Sequence, residues 1–352
     1  MFLRGLATAH PPDRYSKQDC WEAFQGSAWF ERLDRRARAI AQTVLTRDNG
    51  IESRHLALNS LDECFQIDPN TLSARFQTHA PALASLAAKR ALIDAELAAN
   101  EIDAVVVSTC TGYLCPGLTS YVIEELGLRA DVQALDLVGQ GCAAALPNWR
   151  TADALLGAGS ARHVLSVCVE VSSAAMYLSN DPGVLISACL FGDGAGAAVL
   201  SAQPLPHRRR IEWKCATSLT EPAHRDALRF VQRDGMLCNV LTRRVPQLAA
   251  SRAQQVLRST LTDAGLAETD VRQWIMHAGG RDVLNALQAS LHIDTHALRY
   301  SAAMLREHGN LSSAFVYFVL QAALADGAAG GPWWMSAFGA GFSCHGALLD
   351  VA

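Results

Sequence analysis

From about residue 80 onward, short apolar runs alternate with longer stretches of helical character. Residues 83–99 predict a helix. Residues 102–108 predict a buried strand that runs out at Cys110-Thr111-Gly112. A second apolar run covers 132–138, and residues 149–157 continue as a helix. Residues 163–171 predict another strand. Phe191-Gly192-Asp193-Gly194-Ala195-Gly196 then turns into the strand-like 197–200. Short apolar runs closed by Gly read as buried strands, and longer periodic ones as helices. Their regular alternation predicts α/β layering.

The second half repeats the plan. Residues 249–264 predict a helix, 274–276 a strand ending on His277, and 311–325 a helix that follows Asn310. Phe338-Gly339-Ala340-Gly341 turns into 346–351. The offsets agree, since 276 − 107 = 169 for the strand ends and 310 − 142 = 168 for Asn310 against Cys142. Two related halves, residues 1–201 and 202–352, explain this. Chance likeness between two α/β halves is the competing explanation. Residues 202–227, with Pro204, Pro206 and Arg208-Arg209-Arg210, have the breaker and charge content of a junction. Halves packed face to face would bring both helix starts to a common centre.

Three residues at such element ends carry candidate chemistry. Cys142, in Gly139-Gln140-Gly141-Cys142-Ala143-Ala144-Ala145, opens a helix, where unpaired N–H groups and the dipole favour a thiolate. Its small neighbours leave room for an acyl group on sulfur. His277 follows an apolar run, and Asn310 precedes a helix. Each has an ordinary structural reading: a small core cysteine, a structural histidine, a helix N-cap. The candidate site rests on their joint placement.

Composition narrows the field. The chain has 352 residues, a net charge of −4, 50% hydrophobic and 18% charged residues, as expected of a large globular core. Slight acidity and the lack of a basic run give no reason to expect nucleic acid. No apolar stretch approaches a bilayer-spanning length, and the N-terminus lacks a secretory signal's apolar core. The ten cysteines are scattered through apolar runs and read as reduced thiols of a cytoplasmic protein. No CxxC or HExxH is present, and no metal site is expected.

Five segments in order resemble the type III polyketide synthases, the chalcone and stilbene synthase group of the thiolase superfamily. They are Gly141-Cys142, Leu190-Phe191-Gly192-Asp193-Gly194-Ala195, His277-Ala278-Gly279-Gly280, Gly309-Asn310-Leu311-Ser312-Ser313-Ala314, and Phe338-Gly339-Ala340-Gly341. The resemblance covers roughly residues 40–351 and implies a thiolase-like fold of duplicated αβαβα layers with one shared active site. Cys142 would carry the acyl group, and His277 would pair with it as an imidazolium. His277 and Asn310 would stabilise the enolate formed when malonyl-CoA decarboxylates. Phe191 would be the gatekeeper between a coenzyme A tunnel and the cavity. Cys110, Thr111, Ser172, Ala174, Ala175 and Ser312 fall at pocket positions, and Cys115 where the family reaches across its dimer. Arg47 is the best candidate for coenzyme A, with Arg35, Arg36 and Arg38 nearby.

Ala278 and Ala340 replace prolines of the family's segments, which loosens the backbone there. Gly235-Met236-Leu237-Cys238-Asn239-Val240 gives no match to the family's second aromatic gatekeeper. The resemblance implies an acyltransferase that needs no cofactor beyond its acyl-CoA and malonyl-CoA substrates, and a homodimer. Small pocket residues favour a fatty acyl starter and a resorcinol or pyrone product over an aromatic, short or malonyl starter. The alternatives are a single-condensation β-ketoacyl carrier-protein synthase III, a thiolase using Cys344, and a silent scaffold.

Overall fold

The computed structural model describes residues 1–352. Its strands are β1 (Phe2–Ala9), β2 (Arg14–Ser16), β3 (Ser53–His55), β4 (Ala104–Ser108), β5 (Gln133–Leu137), β6 (His163–Glu170), β7 (Gly194–Ser201), β8 (Ile211–Thr220), β9 (Leu228–Arg233), β10 (Met236–Leu241), β11 (Gln273–Met276), β12 (Gly331–Gly339) and β13 (Ser343–Val351). Its helices are α1 (Lys17–Gly26), α2 (Ala28–Arg32), α3 (Arg35–Thr46), α4 (Pro69–Ala95), α5 (Leu118–Leu126), α6 (Ala145–Gly157), α7 (Pro182–Leu190), α8 (Val245–Ala264), α9 (Arg281–Leu291), α10 (Arg299–His308) and α11 (Phe315–Ala325).

Nine strands lie in the order β11-β12-β13-β8-β1-β7-β6-β4-β5. The join between β1 and β8 is a single residue pair, Phe2 opposite Glu212. Two smaller sheets therefore meet edge to edge. Helix α4 covers β1, β7 and β6, and α8 covers β8 and β13. Helices α6 and α11 lie between, and each touches strands of both sheets. The result is the expected succession of helix, sheet, helix, sheet, helix.

The middle layer shows why the two halves hold together. Helix α11 is nearly continuous apolar sequence, and its Phe315, Val316, Tyr317, Phe318, Val319 and Leu320 are all buried. A helix apolar on every side must be covered on every side. Trp149 Nε1 on α6 donates to the Tyr317 hydroxyl on α11 at 3.0 Å. These residues are 317 − 149 = 168 apart, so the contact joins positions that correspond in the two halves.

The outer helix α4 begins at Pro69, fourteen residues before the expected start (83 − 69). Asp68 caps it by accepting from the Asn70 and Thr71 amides. Pro81 lies inside it, where proline usually ends a helix. The helix continues because Ala80, Ala84, Ala87, Ala88, Ala91 and Ala95 are buried on this side of the sheet. Contact is close: a Cβ at Gly5 would lie 2.4 Å from the Ala91 carbonyl oxygen. The run at 132–138 forms β5, which lies at the sheet edge with Val138 exposed rather than buried.

Candidate active site

The loop after β5 closes into one tight turn, Gly141–Ala143, before α6 begins at Ala145. Gly141 has φ +57°, and a Cβ there would sit 2.9 Å from the Ala340 amide nitrogen. A Cβ at Gly339 would lie 2.5 Å from the Gln140 carbonyl oxygen. Glycine is required on both sides, because the loop that ends β12 in the second half props the turn that carries Cys142 in the first. Cys142 is buried at that turn.

His277 follows β11, and its amide donates to the Ser336 carbonyl on β12 at 2.9 Å. Its ring packs edge-on against Phe338 and Phe315. The Asn310 amide donates to the Leu190 carbonyl at 2.9 Å, and its carbonyl accepts from the Gly192 amide at 3.0 Å. This bridge holds Asn310 beside Phe191. The Asn310 side chain is equally fixed. Oδ1 accepts from the Ser312 amide at 2.9 Å, and Nδ2 donates to the Gly279 carbonyl at 3.3 Å. His277 Nε2 lies 3.2 Å from Oδ1 and must therefore carry the proton of that contact. Ser312 has φ +51°, a left-handed conformation costly for a residue with a side chain. The turn aims its hydroxyl at Cys142 Sγ, to which it donates at 3.2 Å. One chain of contacts thus runs from Cys142 through Ser312 and Asn310 to His277. Cys142, His277, Asn310 and Phe191 line a common cavity of about 560 Å³.

Burial controls the charges. It pushes the Cys142 thiol up to about 12, against the lowering effect of the Ser312 hydroxyl, and Glu170 adds to the rise. It pushes His277 down to about 4, partly opposed by the bond to Asn310. The sequence led us to expect a thiolate–imidazolium pair. Burial by itself favours a neutral thiol and a neutral imidazole, because protein covers most of both side chains and little water can stabilise charge on them.

Residues 13–259 match the model of the FAE1/type III polyketide synthase-like proteins, and residues 215–349 that of the chalcone and stilbene synthase C-terminal domain. The chain belongs to the type III polyketide synthases. It is 31% identical to the 1,3,6,8-tetrahydroxynaphthalene synthase of Streptomyces peucetius subsp. caesius, covering 91% of this chain and 84% of that one. It is 28% identical to the α-pyrone synthesis polyketide synthase-like Pks18 of Mycobacterium tuberculosis, over 99% and 91% of the two chains. The crystal structure of PKS-I from the brown alga Ectocarpus siliculosus superposes with a TM-score of 0.91 at 25% identity, covering 99% of this chain and 98% of that one. The synthase is therefore an acyltransferase of thiolase-like fold. The carrier-protein synthase III alternative is not favoured.

Phe191 lines the main cavity and also a small void beyond it, together with Cys110, Thr111, Ser172, Ala175 and Ser312. Asn239 likewise borders both spaces. Cys110, Thr111 and Ala174 also line a further cavity of about 540 Å³. Cys115 is exposed, outside all three spaces.

Arg47 is exposed at the C-cap of α3, between Val44 and Asn49 of the cavity wall, and does not itself line the cavity. The arginines that do line the cavity are Arg243 and Arg281, beside Ile40, Val44 and Asn49. Arg281 is held by the Asp48 carbonyl at 2.6 Å. Arg281 directly follows the His277-Ala278-Gly279-Gly280 segment, whereas nothing in the sequence marks Arg243, and only the fold brings the two to the mouth. Cys344 is buried on β13 and is not part of the cavity wall.

Sequence reasoning also passed over Glu170 as a functional group. It is fully buried at the end of β6 and accepts from the Cys110 amide at 3.1 Å, the Thr111 hydroxyl at 3.0 Å and the Ser313 hydroxyl. Burial raises its pKa. It ties the loop after β4 to the Ser312–Ala314 turn, and so fixes the floor beneath the nucleophile. A charged residue inside an otherwise apolar strand was the available signal.

The synthase should lose stability in mild acid. His277 titrates at about 4 when folded against an ordinary 6.5, so the unfolded chain binds the extra proton between those values. The stability from keeping it neutral is complete above pH 6.5 and disappears as pH falls towards 4, about 3 kcal/mol in all. His345, also pushed down to about 4 by burial, adds to the same slope. Thermal melts between pH 7 and 4.5 should show a falling Tm, with a shallower fall in His277→Gln. Equal Tm values across that range would sink this account.

Proposed function

We propose that this synthase holds an acyl starter on Cys142, extends it repeatedly with two-carbon units from malonyl-CoA, and closes the chain to a pyrone or resorcinol. The supporting observation is that Cys142, His277 and Asn310 open on one cavity and are linked through Ser312. An acyl-CoA enters past Arg243 and Arg281, whose charges suit its phosphates. With burial holding the thiol protonated, Cys142 gives up its proton as sulfur attacks the thioester carbonyl, and the acceptor on His277 is the unpartnered Nδ1, because Nε2 already carries hydrogen. Coenzyme A leaves as the thiol after taking that proton.

Malonyl-CoA then occupies the same cavity. Loss of CO₂ leaves an enolate whose charge rests on the thioester oxygen. The His277 Nε2–H, turned from Asn310 Oδ1, and the second Nδ2 hydrogen of Asn310 are the donors available to it. The enolate carbon attacks the acyl carbon on Cys142, the C–S bond breaks, and the chain is two carbons longer on coenzyme A. Transfer back to Cys142 repeats the cycle.

A fatty acyl starter is supported by what lies behind Phe191. Ser172, Ala175, Ser187 and Ala188 are small, and Met176 and Ala188 border a second small void lined by Cys20, Phe24, Leu45, Leu61, Leu178 and Leu185. A flexible Met between a mixed void and a mostly apolar one, whose wall also holds Arg54, can move aside for an alkyl chain. Purified protein incubated with malonyl-CoA and acyl-CoA starters of two to eighteen carbons should give products extended by two or more units, read by mass spectrometry, with long starters preferred. Ala188→Phe should lower the use of long starters relative to short ones by roughly tenfold or more. A single condensation, or activity only on carrier-protein thioesters, would overturn the iterative reading. Indifference of Ala188→Phe to chain length would overturn the starter.

A further inference from the structure

Three histidines gather on the side of the molecule behind the Asn310 loop. His10 follows β1, His55 ends β3, and His308 ends α10, two residues before Asn310. Each offers a ring nitrogen, and the three nitrogens lie within 4.8 Å of one another. The His10 and His55 ring centres are 3.9 Å apart, and each is 5.3 Å from that of His308.

The hydrogen bonds settle which nitrogens are free. His10 Nδ1 and His55 Nδ1 lie 2.8 and 2.9 Å from the same acceptor, the Pro11 carbonyl. A carbonyl has no proton to give, so both Nδ1 atoms carry hydrogen and both Nε2 atoms keep their lone pairs. Metal-bound histidines are oriented in this way, the second ring nitrogen donating to a backbone carbonyl. His308 Nδ1 is buried and has no hydrogen-bond partner. Three packed histidines with hydrogen-bonded edges would need nothing more. The buried His308 Nδ1, left without a partner in a cluster whose other two rings keep free lone pairs, is not explained by packing alone.

We propose that His10, His55 and His308 form a binding site for a divalent late transition metal, Zn²⁺ being the natural occupant. Three imidazoles without thiolate or carboxylate select Zn²⁺, Co²⁺, Ni²⁺ or Cu²⁺ over Mg²⁺ and Ca²⁺. His10 is exposed, which leaves a solvent path for the ion and a fourth position for water. The nitrogens must close by up to about 1.5 Å for ordinary metal–nitrogen distances. Arg14, whose Nε donates to Ser53 Oγ at 2.7 Å on the adjoining strand pair, faces the cluster and lowers affinity. The Glu307 carboxylate, 4.0 Å from His308 Nε2, works in the opposite sense. The bound ion would staple the end of β1 and β3 to the segment that delivers Asn310. It plays no part in the chemistry at Cys142.

The test uses the full chain without a polyhistidine tag, stripped with chelator and titrated with Co²⁺. One equivalent should produce the visible absorption of tetrahedral cobalt, and Zn²⁺ should displace it. Zn²⁺ at a hundredfold excess over Kd should raise Tm by about 4 °C. His10→Ala, at an exposed position, should lose both responses, and His308→Gln should lose the cobalt band. The site is overturned if wild type gives no band, if His10→Ala binds as wild type does, or if an intense sulfur-to-cobalt band places the ion on a cysteine. Condensation activity is a separate readout, so failure of the metal site leaves the proposed reaction standing.

Discussion

Replacing Cys142 with alanine should lower polyketide formation by roughly 10⁴-fold or more, while malonyl-CoA decarboxylation remains measurable. Condensation needs a covalent acyl carrier, and Cys142 is the buried thiol that shares a cavity with His277 and Asn310. Decarboxylation needs only the enolate's hydrogen-bond donors, which the substitution leaves in place. The fold should survive. Alanine removes one sulfur from a turn whose backbone is fixed by Gly141, Ala340 and Gly339, and the Ser312 hydroxyl keeps access to Cys110 Sγ at 3.3 Å. Intact-protein mass spectrometry after incubation with an acyl-CoA should show an acyl adduct on wild type and none on the variant. Iodoacetamide adds a finer test. With the thiol held up to about 12 by burial, labelling of Cys142 should be slow at pH 6 and accelerate towards pH 9. Fast labelling at pH 6 would mean that the ion pair already exists at rest. Product formation by Cys142→Ala above a few per cent of wild type would remove it as the carrier.

Much of this site was readable before any coordinates. The second half of the chain repeats the first with an offset near 168, and that alone placed Asn310 where Cys142 stands in its own half. The structure realises the repeat as two matching turns, Gly141–Ala143 before α6 and Ser312–Ala314 before α11, and as the Trp149–Tyr317 contact between the two helices. Periodicity marked these elements because their strands and helices are buried and their apolar runs uninterrupted. It failed where burial is partial or local rules mislead. The N-terminal β1 through α3 do not alternate in the manner of the rest, Pro81 disguised the first half of α4, and the β9–β10 hairpin reads as irregular sequence.

The charge state of the site is less legible for a related reason. Sequence locates a cysteine at a helix start, which favours the thiolate, and a histidine after a strand, whose charge it does not set. It does not report how completely each is withdrawn from water, and here desolvation is the larger effect. The mouth was missed because Arg243 and Arg281 come from different elements and meet only in the folded chain. The neighbouring Arg35 and Arg36 lie on an exposed face of α3.

Asn310→Asp should reduce malonyl-CoA decarboxylation by about 10²–10³-fold while leaving acyl transfer to Cys142 within a few-fold of wild type. Aspartate has the shape of asparagine, so Oδ1 can still accept from the Ser312 amide, and the left-handed turn that aims Ser312 at Cys142 should persist. What disappears is the Nδ2 pair of hydrogens, one on the Gly279 carbonyl and the other free for the enolate. In their place stands an oxygen that repels the developing negative charge and draws the His277 proton more firmly to itself. Asparagine to alanine would be a less clean test, because it also leaves the Ser312 amide without its acceptor and relaxes the turn. Decarboxylation is followed by acetyl-CoA release, and acylation by the mass of the intact protein, so the two half-reactions are read separately. If both fall together, Asn310 acts through the shape of the turn. If decarboxylation is unchanged, it is not a donor to the enolate, and His277 alone must carry that charge.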